Sequence, residues 1–466
     1  MRMGSLWAAA FLLRRLRAEA GPILLLATLV AVTSFLFAGA PRLFNLVADD
    51  ALVHELRAAP TVERNFQLSS VSITPSGADK LKAVDDVGAA YQEAFPNSLR
   101  ALIGERHYSA TMPRFSIKEP PRYTMFMALR YQDDLAGEIR IVDGRMPVST
   151  GEQLPRADIP FAEPPPTDEP VPTRIEIVVS EATAAETGAA VGDELLGTLD
   201  GSDPLLRGVL LRPFQVEFVV VGIFAIEDAA ADVWYADRSL HRADIGGSDE
   251  FPIAYATGLV APNTYPDLTT SGLPFRFAWR YFIAPERADV GQLETIVPEL
   301  RRIQSQNANE TFGPRISGDL VFQSGLLDVI RRYQAQRGAS EAVLSVAAIG
   351  PFALAVGAIG MVAIMLVLRR RTNLELARSR GASGLLILGA QLWEGALLAG
   401  AAAMIGLLVA ILVVPGRAAS ASAWLALATG AAAAAVLVAA TVPTARRPLG
   451  QVRRADPPVL PASPRR

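Results

Sequence analysis

The 466-residue chain has no cysteine, which excludes disulfides and thiolate metal sites. Its three histidines, His54, His107 and His241, lie far apart and lack paired spacing, so a histidine-based metal centre is not expected. Lysine is almost absent: Lys80, Lys82 and Lys118 stand against 41 arginines. The residues before the three lysines are Asp79, Leu81 and Ile117. None supplies the glycine-lysine pair of a phosphate-binding loop, so ATP binding by that route is not expected. A nucleophile elbow, a zincin helix and an EF-hand loop are also missing. These absences lead to an expectation of no catalytic residue and no cofactor, with the many acids read as a solvated surface.

Four long uncharged apolar runs are present, over 20–41, 342–368, 395–416 and 418–445. Each exceeds the ~20 residues needed to cross a ~30 Å hydrocarbon core. With 51% apolar residues and a mean hydropathy of +0.28, they predict an α-helical integral membrane protein with lipids as neighbours. One span stands alone and three follow together, with about 300 residues inserted between. The first run also resembles a signal peptide, with arginines ahead of it and Ala38-Gly39-Ala40 as an A-x-A site. Its 22 residues exceed a usual h-region, so a retained span is expected.

Arginine placement gives the orientation. Arg14, Arg15 and Arg17 precede the first span. Arg369, Arg370, Arg371, Arg378 and Arg380 follow the second, and Arg446, Arg447, Arg453 and Arg454 follow the fourth. The turn between spans three and four holds Arg417 alone. Both termini and the 369–384 loop are thus expected in the cytoplasm, and the insert outside, in a plasma membrane. Acids outnumber bases 43 to 28 over residues 42–341, which argues against nucleic acid as a partner.

The expected organisation is an interfacial amphipathic helix over 1–20 with Trp7 and Phe11 towards lipid, then a first span over 21–40. An α+β extracytoplasmic domain follows over 41–325, in two lobes with a proline-rich linker at 155–172. Strands are predicted at Phe66–Thr74, Tyr123–Tyr131, Ile175–Val179, Val216–Phe224 and Phe275–Ile283. A helix over Val290–Gln306 carries Leu293, Ile296, Val297, Leu300 and Ile303 on one face, with Pro298 as its weak point. A helical stalk over 326–341 runs into the second span at 342–368, the alternative being a hinge at Gly338. A cytoplasmic coupling-helix loop at 369–384, spans at 385–414 and 422–445, and a basic disordered tail at 446–466 complete the chain.

The 369–383 segment reads RRRTNLELARSRGAS: a basic anchor, a short helix with Leu374 and Leu376-Ala377 on one side, and Gly381 as a stop. It resembles the cytoplasmic loop of FtsX/MacB-type permeases, R-R-x-E-[IL]-x-x-x-R-x-x-G-A-S. Arg370, Arg371, Leu374, Arg378 and Gly381-Ala382-Ser383 match, while Asn373 stands where the acid is usual. Gln391-Leu392-Trp393-Glu394-Gly395 resembles that family's opening of the third span, with the acid one place early. Gly144-Arg145-Met146-Pro147, Val178-Val179-Ser180-Glu181-Ala182, Val191-Gly192-Asp193-Glu194 and Val219–Phe224 resemble, in order, a MacB-type periplasmic core domain.

That resemblance implies the membrane subunit of a type VII ABC transporter, in which two permease chains pair with two ATP-binding subunits. It implies no enzyme activity of this chain's own: hydrolysis belongs to the ATP-binding subunit, and this chain passes the motion to its outer domain. Residues implied in coupling are Arg370, Arg371, Leu374, Glu375, Leu376, Arg378, Arg380, Gly381 and Ala382. Glu394, an acid inside a span, is costly unless paired, and a loop arginine such as Arg380 is its expected partner. Three functions stay open: export or extraction of an amphiphile (lipid, lipoprotein, peptide or antibiotic), regulation of a cell-wall hydrolase as by FtsX, and an ATP-independent receptor or scaffold.

Overall fold

A computed structural model describes residues 20–157, 172–199, 201, 203–206, 213–415 and 420–446. The expected interfacial helix with Trp7 and Phe11, linker residues 158–171 and tail residues 447–466 lie outside the described residues.

The chain opens with helix α1 (Ala20–Ala58), then β1 (Phe66–Ser72), α2 (Lys80–Ala94), α3 (Asn97–Leu102), β2 (Ile103–Thr111), β3 (Phe115–Lys118), β4 (Thr124–Gln132) and β5 (Ile139–Gly144). It continues with β6 (Thr173–Ser180), α4 (Glu181–Thr187), β7 (Glu194–Leu199), β8 (Phe214–Ile226), β9 (Asp244–Gly247), β10 (Pro252–Leu259) and β11 (Phe275–Ile283). Last come α5 (Leu293–Ser305), α6 (Ala308–Phe312), β12 (Leu320–Gln323), α7 (Leu326–Ser379), α8 (Gly384–Val413) and α9 (Ser420–Arg446). Two compact units result: Ala51–Gln334, and Met1–Asp50 with Ala335–Arg466.

In the Ala51–Gln334 unit one mixed sheet runs β12-β1-β11-β2-β4-β3-β7-β8-β6-β10-β9, with β5 on β8. A further parallel pairing of β10 with β4 closes β4, β3, β7, β8, β6 and β10 into a six-stranded ring. The strands form because their residues alternate. In β8, Phe214, Val216, Phe218, Val220 and Phe224 are buried, with less buried neighbours between them, as period-two geometry requires. Gly222 lets the β5–β8 crossing close: a Cβ there would collide with the Arg145 carbonyl. The antiparallel half, β12-β1-β11-β2, buries Phe66, Phe277, Trp279 and Tyr281 against Tyr91 of α2 and Phe312 of α6. In α5, Leu293, Ile296, Leu300 and Ile303 are buried and the helix continues through Pro298, after a 3-10 turn at Val290–Gln292. The two lobes expected around the proline-rich linker share this one sheet, and a single core cluster runs through both.

In the other unit, four helices are long and apolar enough to cross a membrane: Ala20–Ala58, Ala353–Thr372, Gly384–Val413 and Ser420–Pro443. Ile23, Leu26 and Val30 of α1 meet Ile359, Ala363 and Leu366 of α7, Ala399, Ala402 and Ala403 of α8, and Ala433 and Leu437 of α9. Packing in a bundle of this kind rests on small residues that let backbones approach. The α1–α8 crossing is the tightest case: a Cβ on Gly406 would collide with the Ala31 carbonyl oxygen. Beside it the Ser34 hydroxyl donates to the Ala403 carbonyl at 2.8 Å. Further along, Arg42 Nε donates to the Val414 carbonyl at 3.2 Å. Residue 34 with 403 and 42 with 414 means that α1 and α8 run parallel. In α9, Gly430 meets Ala403 and Ala399, and Leu437 meets Gly395, so α9 is antiparallel to α8.

Candidate functional site: the Arg369–Ser383 turn

The sequence predicts a short separate helix after the second span. In the structure Leu374, Glu375 and Leu376 are the last turns of α7, which runs unbroken from Leu326 to Ser379, through Gly338 and Pro351. The reason is local: nothing between Pro351 and Gly381 breaks a helix, and Arg371 Nε donates to Glu375 Oε1 at 2.8 Å in an i,i+4 pair. The break comes at Gly381, whose φ of +95° is open to glycine at no steric cost. Ser383 then caps α8, its hydroxyl accepting from the Leu386 amide at 3.3 Å. A helical hairpin with a four-residue tip, Arg380 to Ser383, replaces the expected separate short helix.

The hairpin is braced by one ion pair. Arg370 Nη2 lies 2.9 Å from Glu394 Oε1, and Arg370 is only 2% exposed. Gln391 Oε1 accepts from Arg370 Nη1 at 3.5 Å. Of the loop arginines expected to pair with Glu394, Arg370 takes the role rather than Arg380; it precedes the turn by ten positions and faces α8. Arg380 is exposed at the tip. Gln391 stood in the motif without a role, and it completes the buried cluster one helical turn before Glu394.

The coupling residues separate into two sets. Leu374 is 8% exposed and belongs to the bundle interior, with Arg370. Arg371, Leu376 (53% exposed), Arg380 and Gly381 face outward, joined by Leu385 (83% exposed) and Leu386 of α8. Ala382 is part of the tip, and the Arg378 side chain lies outside the described residues. Leu385 and Leu386 carry no motif signal. Their neighbours Leu388 and Gly389 are also apolar, so only the hairpin geometry marks them out at its end.

The motifs of the Ala51–Gln334 unit take structural roles. Arg145 Nη1 pairs with Glu176 at 2.6 Å, and its amide donates to the Val221 carbonyl at 2.9 Å. The Gly192 amide donates to the Val220 carbonyl at 2.8 Å, and the Asp193 carboxylate accepts from the Ala190 amide at 2.8 Å, making a tight turn between α4 and β7.

No protein-family model matches this chain. No curated protein matches it either. Among solved structures, a crystallised domain of a candidate permease protein from Porphyromonas gingivalis is similar at 12% identity, over 57% of this chain and 90% of that domain, with a TM-score of 0.22.

Proposed function

We propose that this chain is the membrane subunit of an ABC transporter and that the Arg369–Ser383 hairpin receives motion from a separate cytoplasmic ATPase. The observation that supports this reading is the hairpin end itself. It presents apolar Leu376, Leu385 and Leu386 beside cationic Arg371 and Arg380, on a base held by the buried Arg370–Glu394 pair. An apolar surface rimmed by charge suits a protein partner. The pair beneath it resists bending, because separating either partner would leave a buried charge uncompensated. In this reading the hairpin end and both termini lie in the cytoplasm, the Ala51–Gln334 unit lies outside, and two copies of the chain act with two ATPase subunits. The cargo is an amphiphile exported or extracted from the membrane.

The test is co-purification of the full-length tagged chain from its native membrane with an ATP-binding protein. Leu376→Asp/Leu385→Asp changes the exposed end and leaves Leu374 in place. Loss of the ATPase at unchanged membrane abundance is the expected result. An intact complex with unaltered hydrolysis would remove the hairpin from the mechanism. Absence of any ATP-binding protein, with the unmodified chain abundant, would favour a receptor or scaffold.

A further inference from the structure

Within the Ala51–Gln334 unit, three adjacent strands place basic and hydroxyl groups in one row. Arg276 of β11 is in register with Thr111 of β2, and Thr111 is in register with Arg130 of β4. Cross-strand neighbours of this kind share a face. On β11 the alternation carries Arg276 and Arg280 on one face and Phe275, Phe277, Trp279 and Tyr281 on the other. The row opens on a cavity of about 180 Å³ whose lining also includes Arg114, Asp203, Asp237 and Thr257.

Charge decides what the cavity suits. Asp237 Oδ2 takes Arg130 Nη1 at 2.6 Å and Arg280 Nη2 at 3.4 Å. Asp203 is held by backbone, accepting from the Arg114 and Leu205 amides at 3.0 and 2.7 Å. Arg114 lies over the Tyr255 ring at 4.7 Å. Among the described residues neither Arg114 nor Arg276 has a carboxylate partner, and both are exposed. Arg114, Arg130 and Arg276 line the cavity against Asp203 and Asp237, an excess of one positive charge, with Arg280 behind Asp237 outside the lining; the surrounding domain has more acids than bases.

We propose that this cavity binds a phosphate-bearing dianion, held by the rim guanidiniums of Arg114 and Arg276 over the fixed Arg130–Asp237 floor. Guanidinium forks match phosphate oxygens with paired charge-assisted hydrogen bonds. Two rim guanidiniums without carboxylate partners among the described residues match the three or more oxygens of a phosphate better than the two of a carboxylate. Ser239 and Thr257 add hydroxyls to the lining. The inference stands apart from the coupling reading, since it uses only the outer unit.

The experiment is calorimetric titration of the full-length chain in lipid nanodiscs with inorganic phosphate, glycerol 3-phosphate and acetate. Co-flotation with vesicles containing phosphatidic acid runs beside it. Saturable binding of a soluble phosphate, or of phosphatidic acid vesicles alone, supports the proposal and tells a free phosphate from a lipid headgroup. Arg114→Met/Arg276→Met should weaken that binding at least about tenfold, as expected when a charge-assisted hydrogen bond is lost. Arg122→Met, at an exposed arginine away from the cavity, should leave binding unchanged. Thermal unfolding without ligand shows whether the rim variants are folded. Acetate binding as tight as phosphate, no binding of any probe, or equal binding by the folded rim variant overturns the proposal.

Discussion

Asp237 is the residue on which the buried charge of the Ala51–Gln334 unit turns. Burial opposes its ionisation, but the Arg130 guanidinium, hydrogen bonds from Arg130 and Ser239, and nearby Arg280 more than offset that and hold its carboxyl well below the usual range. Arg280 shows the opposite balance: burial and the like charge of Arg130 pull it down to about 10, against the attraction of Asp237. Asp237→Asn would leave two buried guanidiniums without their shared counter-charge and should cost roughly 3–5 kcal/mol, read by chemical unfolding. Because the folded carboxyl titrates below its unfolded value, its stabilisation is present above about pH 4 and is lost as pH falls further. His107 carries the reverse dependence. Asp133 lies 3.7 Å from Nδ1, with Asp134 and Glu105 at 3.6 and 3.8 Å from Nε2. Pairing with Asp133, aided by the other two carboxylates and opposed by burial, raises its pKa. That contribution is therefore full below about pH 6.5 and fades as pH rises through the raised value. His107→Gln should flatten the dependence of Tm on pH in that window; an unchanged slope would show that His107 is not its source.

Elements differ in how far the sequence reveals them, and the difference is physical. The β11 strand is predicted at its observed bounds, Phe275–Ile283, because aromatic residues alternate along it. Its arginines sit in the same string, FRFAWRY, yet their role needs Thr111 and Arg130 from strands over a hundred residues away. The β2 strand gives no comparable signal: Gly104, Glu105, Arg106 and His107 fill its first half, and pairing with β11 and β4 makes it a strand. Helix α7 shows the reverse error. Its arginines suggest a new element after the span, but residue type alone does not end a helix and Gly381 does. In α8 the sequence shows many small residues without saying which of them matter. Gly406 and Gly400 separate them: the first meets α1 backbone and the second has open space around it. Gly406→Leu should reduce folded yield and thermal stability of the bundle, whereas Gly400→Leu should be tolerated. Equal behaviour of the two variants would count against the α1–α8 crossing.

For the whole molecule, four helices long and apolar enough to cross a membrane accompany one large mixed-sheet domain. The proposed orientation is open to a direct test because the chain is free of cysteine. Single cysteines at Ser248, in the turn before β10, and at Ser379, at the end of α7, should react from opposite sides of the membrane. Ser248→Cys should label in intact cells with an impermeant maleimide, and Ser379→Cys only after permeabilisation. Labelling of Ser379→Cys in intact cells would invert the topology and with it the coupling reading. The ends of the sheet bear on how a second copy could join. Ring closure leaves the sheet path ending at β12 and β9, each four residues long, with β9 ending in Gly246-Gly247, and β5, off the path on β8, adds an edge of six residues. Edges that short offer little backbone for strand addition. Copies of the chain meeting along these short edges would gain few backbone hydrogen bonds from each other, so contact through this domain would carry little risk of growing into a fibril.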